Sequence, residues 1–380
     1  VNLFGHCNPR INAAITDQLG KIEHVMLAGA THVPVVELSE RLAKLTGLGH
    51  AFYGSDGASA TEIALKMSAH YWRNSGRPEK NGFVSLKNGY HGETVGALSV
   101  TDIPLFKSTY SPLLRHTMQV PTPDARLAEP GETAEAYALR CADALEAHFA
   151  EHAATTAALI LEPLVQGATG MAMYHPVYLT RARELCDRYQ VHLIADEIAV
   201  GFGRTGTIFA VEQSAIRPDF ICLSKGITGG YLPLSAVLTT DAIYAAFWGD
   251  ETARGFLHSH SYTGNPLACR AALAVLDIFE HDNVIAANRV KSIDFTRILA
   301  EVSAHTRVRH FRHLGMIWAF DVADAMPGFA TRFHRKALAH GAFIRPIGNT
   351  VYLMPPYVTG ADEMRGLGDA VMICLDHPGV

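Results

Sequence analysis

Short apolar runs bounded by Gly and Pro alternate with longer amphipathic stretches along most of the chain. The short runs carry apolar residues at consecutive positions, as strands buried on both faces do, and the longer ones repeat them at helical spacing. This pattern predicts strands near Ala51–Tyr53, Phe83–Leu86, Thr117–Val120, Ala158–Glu162, His192–Asp196, Phe220–Leu223 and Ala236–Thr239. It predicts helices over Ser59–Asn74, Thr133–Ala150, Pro176–Tyr189 and Asn265–Glu280. Strands alternating with helices mean an α/β fold on a largely parallel sheet. Beyond residue 280 the character changes: two helical patterns flank short strands at Ile317–Val322, Phe343–Arg345 and Val351–Met354. The chain thus divides into an N-terminal segment (1–45), a large domain (46–280) and a smaller C-terminal α+β domain (281–380). The first segment has no strand core of its own and is expected to pack on the C-terminal unit. Pro121–Glu132 reads as a surface insertion.

Composition narrows the class. The chain has 380 residues, 48% hydrophobic and 18% charged, with a net charge of −5. No basic block or stripe exists to meet nucleic acid or an anionic membrane, and no apolar run approaches the ~20 residues of a membrane span. Six scattered cysteines without a Cys-x-x-Cys pair suit reduced thiols in the cytosol. The chain opens at Val1, without Met or a signal peptide, and further residues are expected upstream.

The chemistry starts with two strand ends. Leu193-Ile-Ala-Asp196-Glu197 and Ile221-Cys-Leu-Ser-Lys225-Gly226 each end an apolar run with a polar residue at its C-terminal tip, the sheet edge where α/β folds bind ligands. An amine and a carboxylate converging there are what pyridoxal phosphate requires. The lysine forms a Schiff base, and the carboxylate keeps the pyridine nitrogen protonated. Asp196 alone also suits a magnesium-binding acid or a plain strand cap. The first needs a Gly-x-x-x-x-Gly-Lys-[Ser/Thr] loop, which the chain lacks. Strand alternation turns Asp196 and Ile198 to one side, so Ile198 can pack on a ring that Asp196 reaches.

Gly201-Phe-Gly203-Arg-Thr-Gly206 matches the dinucleotide fingerprint literally but leads into no helix start, and Asp219 begins a strand instead of ending one. These glycines shape a loop, with Arg204 facing substrate or a dimer partner. Gly54-Ser-Asp-Gly57-Ala58-Ser59 precedes a helix, and backbone N–H groups there suit a phosphate if Asp56 turns away to cap the helix. Tyr90, in Asn88-Gly-Tyr-His-Gly-Glu93, can stack on a cofactor or simply pack. Glu162 can orient a hydroxyl or water or merely end a strand. Arg345, before Pro346, can clamp a carboxylate or lie on the surface. His258-Ser-His260 lacks further ligands at metal spacing, so no metal is expected.

Together these segments resemble the fold-type-I, class III pyridoxal phosphate aminotransferases, from about Val1 to about Tyr357. Thr31-His32, Asn88–Gly92, Glu162-Pro-Leu-Val-Gln-Gly167, Asp196–Gly206, Ser224-Lys-Gly226, Thr263-Gly-Asn-Pro266 and Ile344-Arg-Pro346 carry the resemblance. Met173-Tyr-His-Pro176 and Tyr352-Leu-Met-Pro-Pro-Tyr357 are narrower and point to members that aminate 8-amino-7-oxononanoate in biotin synthesis.

The resemblance implies a seven-stranded, mostly parallel sheet in a large domain, with a small domain made from both chain ends. It implies a cytoplasmic homodimer with active sites at the subunit interface, acting on small molecules, with S-adenosylmethionine the favoured amino donor and lysine the alternative. Lys225 would hold the cofactor, Asp196 would pair with its ring nitrogen, and Tyr90 would lie against cofactor and substrate. Gly57 and Ala58 would bind the phosphate, helped by His260 and Ser261 of the second subunit. Ser259, Arg345 and Tyr352 would border the substrate, Arg345 taking its carboxylate. Departures from the family pattern fall at Asp56, Ala58, Glu93, His260 and Ser261. The alternatives are an ω-amino acid, ornithine or diamine aminotransferase, a glutamate-semialdehyde aminomutase, a catalytically silent member of the fold, and a nicotinamide-dependent dehydrogenase.

Overall fold

Residues 1–377 are described by the computed structural model. The large sheet is built from β1 (His50–Gly54), β2 (Gly82–Leu86), β3 (Met118–Val120) and β4 (Thr156–Leu161). A two-stranded hairpin follows, β5 (Val165–Gln166) with β6 (Ala172–Met173). β7 (His192–Asp196), β8 (Phe220–Leu223) and β9 (Ser235–Thr239) complete the sheet, whose spatial order is β1-β9-β8-β7-β4-β2-β3. Only β9 runs antiparallel to its neighbours. The expected seven-stranded, mostly parallel α/β sheet is therefore present.

Both faces of this sheet are covered, which explains the unbroken apolar runs. In β4, Ala158 and Ile160 pack with Ile63, Ala64 and Met67 of the Gly57–Asn74 helix. Leu159 and Leu161 point the other way, to Leu145 and Phe149 of the Ala134–His152 helix and Leu179 and Leu185 of the Val177–Tyr189 helix. Farther along the second face, Ile221, Leu223 and Leu238 pack under the Pro266–His281 helix. The helices Pro9–Leu19 and Val33–Thr46 lie on that same helix. Among the described residues no helix is long and apolar enough to cross a membrane.

The C-terminal part forms a second, antiparallel sheet of β10 (Val308–Leu314), β11 (Ile317–Val322) and β12 (Thr350–Leu353). Two expectations fail here. No strand forms at Phe343–Arg345: Pro346 cannot donate to a ladder, and the next pairing is the isolated Ile347–Thr350 bridge. β10 was not anticipated, because a register shift between Arg309 and Arg312 and a mostly polar composition hide its alternation. The Pro121–Glu132 segment also departs from its reading as a surface insertion. Thr122, Pro123 and Asp124 are buried, and Arg126 reaches from it to Asp321 of β11.

The β10–β11 turn fixes the two sheets to one another. Gly315 has φ 58°, and Met316 donates its N–H to the Arg204 carbonyl at 2.8 Å. A Cβ on Gly315 would lie 2.3 Å from the Thr205 carbonyl carbon, which is backbone and has little room to yield. Gly315→Ala is expected to destabilise the protein by about 3 kcal/mol, combining left-handed strain with overpacking. Chemical denaturation checks this, and an unchanged midpoint would show that the turn is free to move.

Candidate active site

β7 and β8 pair in parallel, with Asp196 opposite Cys222, so Asp196 and Lys225 leave neighbouring strand tips at one edge of the sheet. The chain turns sharply just past β8. Ser224 is extended and donates its hydroxyl to the Leu234 carbonyl at 2.8 Å, and Lys225 then takes a left-handed φ of 45°. A non-glycine residue in that region costs of order 1–3 kcal/mol, which the surrounding packing must offset.

Both side chains open into one cavity of about 930 Å³, which Gly57, Ala58, Tyr90, Glu162, Ile198 and Tyr352 also line. The structure thus brings most of the expected site residues together. Ser259, His260, Ser261 and Arg345 are not on its wall. Arg345 is exposed and lines a neighbouring cavity of about 650 Å³ that shares Tyr352 and Met354 with the first. Ser259 and Ser261 are exposed, and half-buried His260 meets His258 Nε2 through its own Nε2 at 2.9 Å. The Lys66 ammonium in turn lies 2.7 Å from His258 Nδ1.

Asp196 is held on both oxygens. Oδ2 lies 2.7 Å from His91 Nδ1, and Oδ1 accepts the Ile198 N–H at 3.1 Å. His91 is buried, its carbonyl accepts the Thr61 hydroxyl at 2.8 Å, and its Nε2 has no hydrogen-bond partner among the described residues. His91 lies within the Asn88–Glu93 string, where nothing in the sequence assigns it a role. A histidine beside a tyrosine carries no signal of a carboxylate a hundred residues away.

Tyr90 donates its phenol to Glu93 Oε1 at 2.9 Å, and burial together with that bond pushes its pKa up to about 12, so the hydroxyl stays protonated. Glu162 accepts the Tyr90 N–H at 3.0 Å and the Gly167 N–H at 2.9 Å. Burial raises the Glu162 carboxyl to about 7, helped by Asp196 and opposed by His91 and the two N–H donors. Glu197, next to Asp196 in the chain, turns to the opposite side, accepts the N–H groups of Ala210 and Val211, and is raised by burial to about 8.

At the Gly57–Asn74 helix start, Asp56 borders the cavity and caps the helix: its Oδ1 accepts the Ser59 N–H at 2.8 Å and the Ser59 hydroxyl at 2.9 Å. That leaves the first-turn N–H groups of Gly57 and Ala58 unclaimed by side chains at the cavity wall. Arg204 also lines the cavity, but its guanidinium is engaged by backbone. It is buried, donates to the Pro355 and Asn2 carbonyls, and stacks over the Tyr357 ring, a tie between distant parts of the chain.

The residues fit pyridoxal phosphate. The cavity offers an amine, a carboxylate fixed at both oxygens, helix-start N–H groups for a phosphate and an apolar Ile198 wall. A Cβ on Gly57 would meet Ile198 at 3.0 Å and one on Gly92 would meet Ala58 at 2.8 Å, so side chains there would fill the space a flat ring needs.

Comparison with known proteins agrees with this geometry. The family model described as aminotransferase class-III matches residues 1–375. The adenosylmethionine-8-amino-7-oxononanoate aminotransferase of Helicobacter pylori is 45% identical, over 99% of this chain and 86% of that protein. The protein of the same name from Geobacter sulfurreducens is 40% identical, over 97% and 84%. The crystal structure of the Methanocaldococcus jannaschii enzyme of that name superposes with a TM-score of 0.92 at 36% identity, covering 98% of this chain and 86% of that one. A PLP-bound amine transaminase from an uncultivated Pseudomonas species also gives 0.92, at 34% identity, covering 98% and 88%.

The raised Glu162 carboxyl has a measurable consequence. A folded pKa above the unfolded one favours folding fully below the ordinary 4.5, and that contribution is lost as pH rises through about 7. Thermal unfolding of cofactor-free protein across this window is therefore expected to lose stability with rising pH more steeply in the wild type than in Glu162→Gln. Parallel curves would mean that Glu162 ionises as freely folded as unfolded.

Proposed function

Since the chain belongs to the class-III aminotransferase family, we propose that it transfers the amino group of S-adenosylmethionine to 8-amino-7-oxononanoate, giving 7,8-diaminononanoate for biotin synthesis. The enzyme is a pyridoxal phosphate-dependent aminotransferase. The observation that carries the reading is the shared cavity of Lys225 and Asp196 at adjacent strand tips. The acceptor is supported by the name that relatives 35–45% identical over nearly the whole chain share.

When bound, pyridoxal phosphate supplies an electron-withdrawing ring that acidifies the carbon bearing the amino group. The protein's residues do the rest. Asp196, locked by His91 and the Ile198 N–H, holds a proton on the ring nitrogen. Gly57 and Ala58 present N–H groups to the phosphate, and Ile198 packs against the ring. Lys225 would anchor the cofactor through its Nζ, and the same amine, when free, would be the base that moves a proton to and from the donor's α-carbon. The Tyr90 phenol, oriented by Glu93, lies against donor and acceptor in turn. Glu93, one of the departures from the family pattern, alters how the donor's charge is met. Arg345 takes the acceptor carboxylate, with Ser259 and Tyr352 bordering it.

The working form in this reading is a cytoplasmic homodimer in which His260 and Ser261 reach the phosphate of the other subunit. Their lying off the cavity wall of their own chain supports this, as do six free cysteines, five of them buried. A second reading, an amine or ω-amino transaminase, is favoured by the equal superposition on the Pseudomonas amine transaminase.

Lys225→Ala is expected to abolish turnover together with the visible absorption of lysine-bound cofactor; a variant retaining both removes Lys225 from its role. Asp196→Asn should bind some cofactor while kcat falls about 10²–10³-fold, the scale for losing a preorganised charge contact. Turnover near wild type would contradict it. Mixing holoenzyme with S-adenosylmethionine, lysine, alanine or ornithine and following the cofactor spectrum separates the two readings. Conversion by S-adenosylmethionine alone supports the first, and conversion by alanine or ornithine instead supports the second.

A further inference from the structure

The C-terminal sheet has two faces with different neighbours. Trp318, Phe320, Val351 and Leu353 join the same core as Phe295, Phe333 and Met364 of the C-terminal helices, whereas Ile317 and Ala319 join the core of β2, β4 and the β5–β6 hairpin. Cross-strand pairing sets Asp321 opposite Thr350 and Ala319 opposite Tyr352. Paired and alternate residues share a face, so Asp321 and Thr350 lie on the same side as Tyr352, turned toward the large domain. Tyr352 lines the cavity; Asp321 does not.

Asp321 is a carboxylate on this contact face, only 9% exposed. It is met from four sides. Arg126 Nη1 reaches both oxygens at 3.3 Å, Arg312 Nη2 lies at 3.1 Å, the Thr350 hydroxyl at 2.7 Å and His310 Nδ1 at 3.0 Å. The two guanidinium groups extend beyond it. Arg126 donates to Asp124 and to the Thr169 carbonyl at 3.1 Å, and Arg312 donates to the Met171 carbonyl at 3.0 Å and to the Gly170 carbonyl. Thr169, Gly170 and Met171 form the tip of the β5–β6 hairpin, and Gly167, Ala168 and Met171 of that hairpin line the cavity. The tip touches the small sheet closely: Gly170 has φ 84°, and a Cβ there would meet the Thr350 hydroxyl at 2.5 Å.

We propose that Asp321 is a positioning residue for the keto acceptor: through Arg126, Arg312 and Thr350 it clamps the Tyr352-bearing strand to the β5–β6 hairpin and so sets the width of the cavity between them. The inference rests on the function proposed above. Removing one partner of a buried charge cluster leaves the others uncompensated. Without Asp321, Arg126 would keep Asp124, but Arg312 would retain only backbone carbonyls and nothing would tie it to Arg126. The hairpin and Tyr352 would then separate, while Lys225, Asp196 and the phosphate-binding helix start, which sit on the other sheet, keep their places. The expected defect therefore falls on acceptor binding and spares the chemical step.

The test uses holoenzyme carrying Asp321→Asn and, as a milder variant, Thr350→Val, with S-adenosylmethionine and 8-amino-7-oxononanoate. KM for the acceptor should rise about tenfold in Asp321→Asn with kcat within about twofold, the signature of lost binding without lost transition-state contact. Thr350→Val should move the same way by less. Cofactor absorption should be unchanged, and amides of Val165–Met173 should exchange with deuterium faster in both variants. A fall in kcat at constant KM, or no change in KM and exchange in either variant, overturns the proposal. Should Asp321→Asn fail to fold, Thr350→Val carries the same two readouts alone. If the wild type does not turn over this acceptor, the substrate assignment is what has failed. The exchange rates then decide the clamp by themselves: faster in the variants supports it, equal overturns it.

Discussion

Asp196 is taken out of water and pinned at both oxygens, by His91 and by the backbone two residues on. A buried carboxylate is tolerated only when its hydrogen bonds are met, and here they are met with one side of the cavity left for a further partner. Much of the architecture serves that arrangement. Parallel pairing of β7 and β8 brings the lysine tip beside it, and strand alternation turns Asp196 to the face where the Gly57–Asn74 helix begins. The apolar contacts of that helix with β4, β7 and β8 hold the helix start where an anion can bind. The cavity's electrostatic order is thus a consequence of sheet registry.

The opposite wall is built from other parts. Tyr352 comes from β12 and Met354 and Ile347 from the segments flanking it, and Gly167, Ala168 and Met171 from the β5–β6 hairpin. These elements meet through an ionic cluster and a glycine contact, with apolar packing behind them. One wall is therefore fixed by the hydrogen-bonded ladder of the main sheet. The other depends on how two separate pieces seat against each other. This division suits an enzyme that must hold one cofactor rigidly while admitting two dissimilar substrates in turn.

The legible part of the fold is the part whose burial is uniform. Strands such as β4 and β7, buried on both faces, announce themselves as apolar runs, and the helices covering them carry their period openly. Lys225 and Asp196 were legible because each ends such a run. β10 was not, since its exposed polar face and shifted register erase the alternation, and Phe343–Arg345 misled because its apolar residues precede a proline. His91 and Asp321 stayed hidden for a different reason. Each matters through a partner far along the chain, His91 through Asp196 and Asp321 through Arg126, and no local pattern encodes such a contact. Arg204, conspicuous among glycines, turned out to bind backbone carbonyls.

In the proposed function Asp196 keeps a proton on the cofactor's ring nitrogen. The most direct measurement is the ¹⁵N chemical shift of ring-labelled pyridoxal phosphate in the reconstituted enzyme, followed through neutral and alkaline pH. The account predicts a protonated-pyridine shift persisting well above the pH at which the free cofactor loses that proton. A shift typical of unprotonated pyridine at neutral pH would contradict it.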